Sequence, residues 1–123
     1  MDKKTKLTLA ELLKRKEQII AAKKTKKTQN LYVNSLGAII TIEEPEASLC
    51  RDVSDMEAEG DKYMCYECIK EPDLKSKEVQ DAFGCAVPMD IVEMIFAPGE
   101  IPQIAVECMK LAGYMDGVKQ VKN

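Results

Sequence analysis

The amino-acid sequence predicts an α+β fold that is mainly α: an N-terminal helix, one β-hairpin, and four to five short helices in a single compact domain over residues 1–123. Most of the chain spaces its apolar residues for helices, and one early stretch alternates them as in strands. A length of 123 residues with 46% hydrophobic and 32% charged side chains suits one modest core. The expected parts are a basic helix and arm (1–30), a hairpin (31–45), a helical body (46–114) and a flexible tail (115–123).

The first helix is predicted to begin at Thr8, because Thr8-Leu9-Ala10-Glu11 has the pattern of a capping box. In this motif the threonine hydroxyl accepts from the amide of Glu11, and the glutamate carboxylate reaches back to the amide of Thr8. The helical face of residues 8–22 carries five apolar side chains: Leu9, Leu12, Leu13, Ile19 and Ile20. The lysine-rich run at 23–27 has nothing to bury, so we expect a frayed, solvated end there.

The next stretch indicates a hairpin. Leu31 and Val33 alternate with polar neighbours, and Ile40 alternates with Ile42 on the return strand. Between them, Gly37 supplies a turn residue that is free to take a positive φ. Two strands alone are marginal in water, so this hairpin must lie against helices or against a strand from another chain.

The remainder of the chain is predicted to form short helices. Ser76 is a candidate N-cap and Gly84 the matching C-terminal glycine of one of them. The last helix should begin near Gly99, tolerate Pro102 in its first turn and stop at Gly113. Its apolar face assigns it to the core and comprises Ile101, Ile104, Ala105, Cys108, Leu111 and Ala112.

Two further stripes at helical spacing lie between the hairpin and Pro72. The first ends at Gly60 and consists of Leu49, Cys50, Val53 and Met56. The second consists of Met64, Cys65, Cys68 and Ile69. It is predicted to stay helical until just before Pro72, because a residue preceding proline is pushed out of the α region.

The net charge of −3 conceals an asymmetry. Residues 1–30 hold ten Lys/Arg against three Asp/Glu, and residues 31–123 hold eight against eighteen, so the two parts carry +7 and −10 and should attract each other. The basic arm has no aromatic residue before Tyr32 and no Gly-rich loop, and the acidic remainder would repel phosphate. We expect no nucleic-acid partner and favour a solvated face or an acidic partner; a small regulatory or nucleic-acid-binding protein is the alternative.

Composition also bears on catalysis. The chain has no histidine, which excludes Ser/His and Cys/His relays and imidazole ligands. The acidic residues are scattered over polar helix faces, and no glycine pattern matches a phosphate-binding loop. We therefore expect no enzyme, no catalytic residue and no cofactor.

The motif Cys65-Tyr66-Glu67-Cys68 raises two chemical hypotheses, half a zinc site and a redox pair. A four-cysteine site needs a second close pair, whereas Cys85 and Cys108 are solitary. A redox pair needs a helix N-terminus, whereas this pair lies midway along a predicted helix. We favour core packing, with reduced, mostly buried thiols and no metal, and keep a Cys-based metal or redox protein as the alternative.

No stretch approaches the roughly 18–20 consecutive apolar residues of a membrane span, and the first residues lack the pattern of a signal peptide. We therefore expect no membrane partner and a cytoplasmic location. Five cysteines, an odd number, also fit a reducing compartment.

Taken in order, the segments resemble the XkdN-like phage tail assembly chaperones of contractile-tailed phages and of phage-tail-like particles of Gram-positive bacteria. Four stretches carry the resemblance over nearly the whole chain: LTLAELLKRKEQI, LYVNSLGAIITIEEP, EGDKYMCYECIKEPDLKSKEVQDAFG and PMDIVEMIFAPGEIPQIAVECMKLAGY. The last is the most specific, because it joins a DIVEMIF helix to a PGEI turn and a LAGY close.

The resemblance implies a binding protein. Chaperones of this kind are thought to coat the tape measure protein, a very long, helix-rich chain that would otherwise aggregate, until tail tube subunits displace them. It therefore implies the tape measure protein as partner, with the tail tube protein and further copies of this chain as other candidates, in the bacterial host cytoplasm.

The N-terminal helix is the candidate partner-binding site. Its lysine-rich extension cannot be buried, so the helix should lie at the periphery with an exchangeable apolar face. Helix-in-groove recognition would use the anchors at i, i+3 and i+4. The same side chains equally permit simple packing on the hairpin. The candidate residues are Leu9, Leu12, Leu13, Ile19 and Ile20.

Overall fold

The structure is a computed structural model that describes residues 5–122. Residues 1–4 of the predicted arm and Asn123 of the predicted tail lie outside the described residues. Within them the α-helices are α1 (Leu9–Lys14), α2 (Lys16–Lys24), α3 (Ala47–Ser54), α4 (Gly60–Cys68), α5 (Lys77–Phe83), α6 (Ile91–Ile95) and α7 (Glu100–Leu111). The strands are β1 (Thr28–Val33), β2 (Ala38–Glu43) and β3 (Ile69–Glu71). The predicted α+β, mainly α class is confirmed.

The N-terminal segment forms two helices where the sequence predicts one. The Thr8 hydroxyl accepts from the Glu11 amide at 3.2 Å, which confirms the cap. The return half of the capping box is not formed, because the Glu11 carboxylate binds Nε of Arg15 at 2.9 Å. Arg15, at φ −91° and ψ 3°, separates α1 from α2. The hydrogen-bonded chain still crosses this break, since the Ile19 amide donates to the Arg15 carbonyl at 2.9 Å.

The predicted hairpin is confirmed, although it begins three residues early. β1 and β2 pair antiparallel from Thr28 opposite Glu43 to Val33 opposite Ala38. Gly37 closes the turn at φ 60°, and its amide donates to the Val33 carbonyl at 2.9 Å. The polar start of β1 shows no apolar alternation, which is why the sequence placed the strand later.

A third strand corrects the prediction of a hairpin alone. Ile69 lies in β3, where the apolar spacing predicted helix, and it pairs with Ile42 of β2. Glu71 pairs with Thr41, with an irregularity in register between the two pairs. The edge of β2 that does not face β1 supplies the backbone hydrogen-bond partners of β3, and the spacing of apolar residues cannot predict such a contact. In this position Ile69 is 97% buried.

The core lies between the inner face of the sheet and the helices that follow it. The assignment of α7 to the core is confirmed, because Ile104 is 5% exposed and Cys108 is fully buried. Leu111 and Ala112 are partly buried and pack against the core. Full burial of a large apolar side chain contributes on the order of 1.5–3 kcal/mol. The buried members are Val33, Ile40, Ile42, Cys50, Met64, Cys65, Cys68, Ile69, Leu74, Ile91, Val92, Phe96, Ile101, Ile104, Ala105 and Cys108.

Two helix signals after the hairpin lie where the sequence predicts them, and a third does not. The Ser76 hydroxyl accepts from the Val79 amide at 3.2 Å, and Gly84 takes φ 65° after α5. Gly60, predicted to end a helix, instead begins α4 and is buried. A Cβ atom at Gly60 would lie 2.6 Å from the carbonyl oxygen of Val53, so α3 and α4 approach each other closely at this glycine.

Candidate protein-binding surface

The apolar side chains of α1 and α2 are exposed. Neither helix contains a buried residue. We call the five predicted side chains the arm face; their exposed fractions are 73% for Leu9, 40% for Leu12, 61% for Leu13, 40% for Ile19 and 44% for Ile20. The predicted peripheral position is therefore confirmed, and the arm face is not buried against the hairpin.

The arm face has the spacing of a helix–helix contact. Leu12 and Ile19 are seven residues apart, and so are Leu13 and Ile20. Seven residues is the repeat at which side chains of one helix meet a second helix wound around it. Leu7, at 60% exposure, continues the apolar surface before α1. These side chains are accessible without any rearrangement of the core.

Cations surround the arm face. Arg15 is paired with Glu11 at 2.9 Å. The lysines of the two helices make no ion pair with any other residue in the described part of the chain: Lys14, Lys16, Lys23 and Lys24. An apolar stripe bordered by such lysines favours a partner that is apolar along one line and acidic beside it.

The C-terminal end of the arm, at Lys26 and Lys27, is bound to the acidic part of the chain (31–123). Lys26 Nζ lies 2.9 Å from the Glu46 carboxylate, and this hydrogen bond lowers the pKa of Glu46. The Lys27 amide donates to the Glu44 carboxylate at 3.1 Å, and the Glu44 amide donates to the Lys27 carbonyl at 2.8 Å. Residues 23–27 are exposed, as predicted, but the prediction of a frayed end is wrong at these two lysines. The predicted attraction between the two charged parts is confirmed there.

A second exposed apolar surface lies on the outer face of the hairpin. Tyr32 and Ile39 face each other across the two strands and are 65% and 62% exposed. Leu36 in the turn is 44% exposed. Sequence reasoning missed this surface because it used the alternation only to find the inward residues. The available signal was that Tyr32 and Ile39 are apolar at positions where a solvated face is expected to be polar.

A lysine cluster joins α4 to α6 and was not found in the sequence. Lys62 is only 8% exposed, and its Nζ lies 2.9 Å from Asp90, 3.0 Å from Glu59 and 3.3 Å from Glu93. The hydrogen bonds to Asp90 and Glu59 raise the pKa of Lys62. An amine held protonated has no free electron pair for nucleophilic attack, so Lys62 is a poor candidate for a nucleophile.

Burial confirms the core-packing interpretation of the C-x-x-C motif. Cys65 is fully buried and Cys68 is 2% exposed. The Cys65 thiol donates to the Ile101 carbonyl at 3.4 Å, and burial raises its pKa to about 12. Such a thiol is unreactive at neutral pH. Within residues 5–122, no three His, Cys, Asp or Glu side chains are grouped so that they could hold a metal ion.

Comparison with known protein families shows the family of the chain. Residues 2–123 match the family described as phage XkdN-like tail assembly chaperone protein. The chain belongs to this family. The match includes the arm, the sheet and the helical body of the chaperone. Comparisons with curated proteins and with solved structures give no match.

Membership makes phage tail proteins the partners of this chaperone. A tail assembly chaperone acts by contact, so its binding surface must be accessible before the partner arrives. The arm face and the outer face of the hairpin satisfy that condition in the described part of the chaperone. None of the helices described here is long and apolar enough to cross a membrane.

Proposed function

We propose that this tail assembly chaperone binds the tape measure protein through the arm face. Binding keeps the tape measure soluble in the host cytoplasm until the tail tube protein polymerises around it. The observation that carries the proposal is the row of five apolar side chains, each at least 40% exposed, on two helices that bury nothing. Exposed apolar side chains grouped on one segment in this way are typical of a protein-binding site.

The chemistry of the arm specifies the client segment. An amphipathic helix presents apolar residues at the same seven-residue repeat that separates Leu12 from Ile19. Acidic residues beside that stripe would meet the unpaired lysines of α1 and α2. A helix-rich tape measure protein offers many such segments, so several chaperones can bind one client.

The size of the arm face suits a contact that must later be released. Five half-exposed side chains offer far less surface than a permanent interface, which argues for modest affinity at each contact. Several weak contacts along one client act together through multivalency. Tube subunits can then displace the chaperones one at a time. The function proposed is binding alone. It is supported by the raised pKa values of Lys62 and Cys65, which keep both side chains protonated and so unreactive as nucleophiles at neutral pH.

The test is co-expression with the tape measure protein, comparing the parent with a variant that carries Leu12→Glu and Leu13→Glu. Both side chains are exposed, so we expect the variant to retain the circular dichroism spectrum and melting temperature of the parent. We expect it to leave the tape measure insoluble or unbound. The matched control carries Phe83→Glu and Val87→Glu, which place the same charges on exposed apolar positions of the body.

Two outcomes separate the parts of the proposal. A folded Leu12→Glu, Leu13→Glu variant that keeps the tape measure soluble would remove the arm face from the binding site. A parent protein that neither binds nor solubilises the tape measure would overturn the proposed function itself. Loss of binding in the Phe83→Glu, Val87→Glu control would move the site to the body.

A further inference from the structure

β1 is an open edge of the sheet. Among residues 5–122 the strand order β1-β2-β3 gives β1 one neighbouring strand, β2. The Glu44 amide donates to the Lys27 carbonyl, which marks that pair as a hydrogen-bonded one. Antiparallel strands alternate such pairs, so alternate residues of β1 point their backbone groups at β2: Gln29, Leu31 and Val33. The other residues point their backbone groups away from the sheet: Thr28, Asn30 and Tyr32.

Within residues 5–122, nearly all of these outward backbone groups lack a hydrogen-bond partner. Within the described chain, one of them is engaged, the Asn30 carbonyl, which accepts from Nε2 of Gln29 at 3.1 Å. Sheet edges are normally protected by charges, proline or a bulge. β1 reads Thr-Gln-Asn-Leu-Tyr-Val, without charge or proline, and its register with β2 runs without a shift. Such an edge is suited to pairing with another strand.

We propose that β1 pairs antiparallel with β1 of a second copy about a two-fold axis at Asn30, forming a continuous six-stranded sheet. The outward residues determine the register. With Asn30 opposite Asn30 and Thr28 opposite Tyr32, every outward amide and carbonyl meets a partner. A shift of one residue would place outward groups opposite inward ones, and a shift of two would leave one outward residue unpaired. On pairing, the exposed Gln29 side chain releases the Asn30 carbonyl. That carbonyl then accepts from the Asn30 amide of the second copy.

Charge favours a second copy as the occupant of this edge. The cleft between β1 and α7 is lined by Glu100, Gln103 and Glu107. In the proposed register Lys27 of the second copy lies opposite Val33, and two-residue periodicity directs its side chain to the α7 side of the sheet. A cation therefore meets the two carboxylates of the cleft on each side of the axis.

The second copy also completes burial at this edge. Leu31 is only half-buried in the single chain, although it packs against the core. Opposite it in the proposed register is Gln29 of the second copy, which covers its open side. The pairing is independent of the tape measure protein. It does, however, place two arm faces on one particle, which would strengthen any multivalent contact.

The test uses two charge variants at the axis and sedimentation velocity. Asn30→Lys and Asn30→Glu each place like charges directly opposite each other, which is destabilising across strands. Each substitution removes the amide oxygen of Asn30 that accepts from the Thr41 hydroxyl at 2.8 Å, and the two variants carry opposite charges. We expect a dimeric parent, loss of the dimer in each variant alone, and its return when the two are mixed in equal amounts. Thr41→Lys, on the same face but one strand inward, should leave the dimer intact.

A parent that sediments as a monomer at every concentration would overturn the proposal. So would a dimer of either Asn30 variant alone, or a mixture that stays monomeric. Amide hydrogen exchange on the parent tests the register without any substitution. We expect slow exchange at Thr28, Asn30 and Tyr32, and exchange as fast as in a solvated loop at all three would exclude pairing at this edge.

Discussion

The carboxylate of Glu100 accepts two hydrogen bonds from Ser35, one from the amide at 3.0 Å and one from the hydroxyl at 2.7 Å. Glu100 begins α7, whereas Ser35 lies 65 residues earlier in the hairpin turn. The same carboxylate accepts from the Ala97 amide at 2.9 Å. These contacts join the tip of the hairpin to the N-terminus of α7 and so maintain the cleft beside β1.

The first prediction concerns pH. The hydrogen bonds from Ser35 and Ala97 hold the pKa of Glu100 below its ordinary value of 4.5. The ionised carboxylate therefore stabilises the fold above about pH 4.5, and this contribution is lost as the pH falls through the lower folded-state pKa. We expect Glu100→Gln to lower the melting temperature at neutral pH and the difference from the parent to shrink in acid. A difference that stays constant down to about pH 3 would show that ionisation of Glu100 is irrelevant.

The second prediction concerns the lysine cluster. Lys62→Met leaves Asp90, Glu59 and Glu93 without their shared cation. Because these carboxylates are 42–59% exposed, solvent screens part of the loss, and we expect the free energy of unfolding to fall by about 1–2 kcal/mol in urea denaturation at neutral pH. The pKa of Lys62 is raised, so its contribution is present below its ordinary value of 10.5 and lost above it as the pH rises through the folded-state pKa.

The matched control for this cluster is Lys77→Met. Lys77 pairs with Asp81 at 3.0 Å on the surface, where its side chain is 89% exposed. Exposed pairs contribute little, so the change should be within about 0.5 kcal/mol. Equal effects of the two substitutions would mean that burial of Lys62 adds nothing.

The third prediction concerns the contact between α3 and α4. In Gly60→Ala the new methyl group would lie 2.6 Å from the Val53 carbonyl oxygen and 2.9 Å from its Cγ1. The clash outweighs the better helix propensity of alanine, and we expect a loss of about 2–3 kcal/mol in chemical denaturation. Gly99→Ala is the control, because Gly99 has open space around it and φ −77°. A Gly60→Ala variant as stable as Gly99→Ala would contradict this packing.

The fourth prediction concerns thiol reactivity. Cys85 is half-buried, whereas the other four cysteines are at most 2% exposed. Burial raises the pKa of Cys50 as well as that of Cys65, and the thiolate is the reactive form. A thiol reagent at pH 8 should therefore label one cysteine rapidly in the native protein, and Cys85→Ser should abolish this phase. Rapid labelling of the Cys85→Ser variant would show that the core opens to solvent.

The exposure of the arm face was predicted only in part. The lysine run beside Ile19 and Ile20 cannot be buried, which favours a peripheral helix, but the same side chains also permitted packing on the hairpin. Only the structure shows that they are 40% and 44% exposed. The open edge of β1 is harder to predict. Thr28 and Asn30 show no apolar alternation, and which backbone groups remain unpaired depends on the order of strands in the sheet.

By itself the sequence determined the features whose physical causes lie within one or two turns of the chain. The cap at Ser76, the left-handed Gly84 and the apolar face of α7 depend on nearby backbone groups and on spacing, so they occur where predicted. Only the tertiary structure decided the contacts between distant segments. Ile69 has helical spacing yet forms a strand because the free edge of β2 supplies its hydrogen bonds, and Glu100 finds Ser35 because the fold brings both to one point.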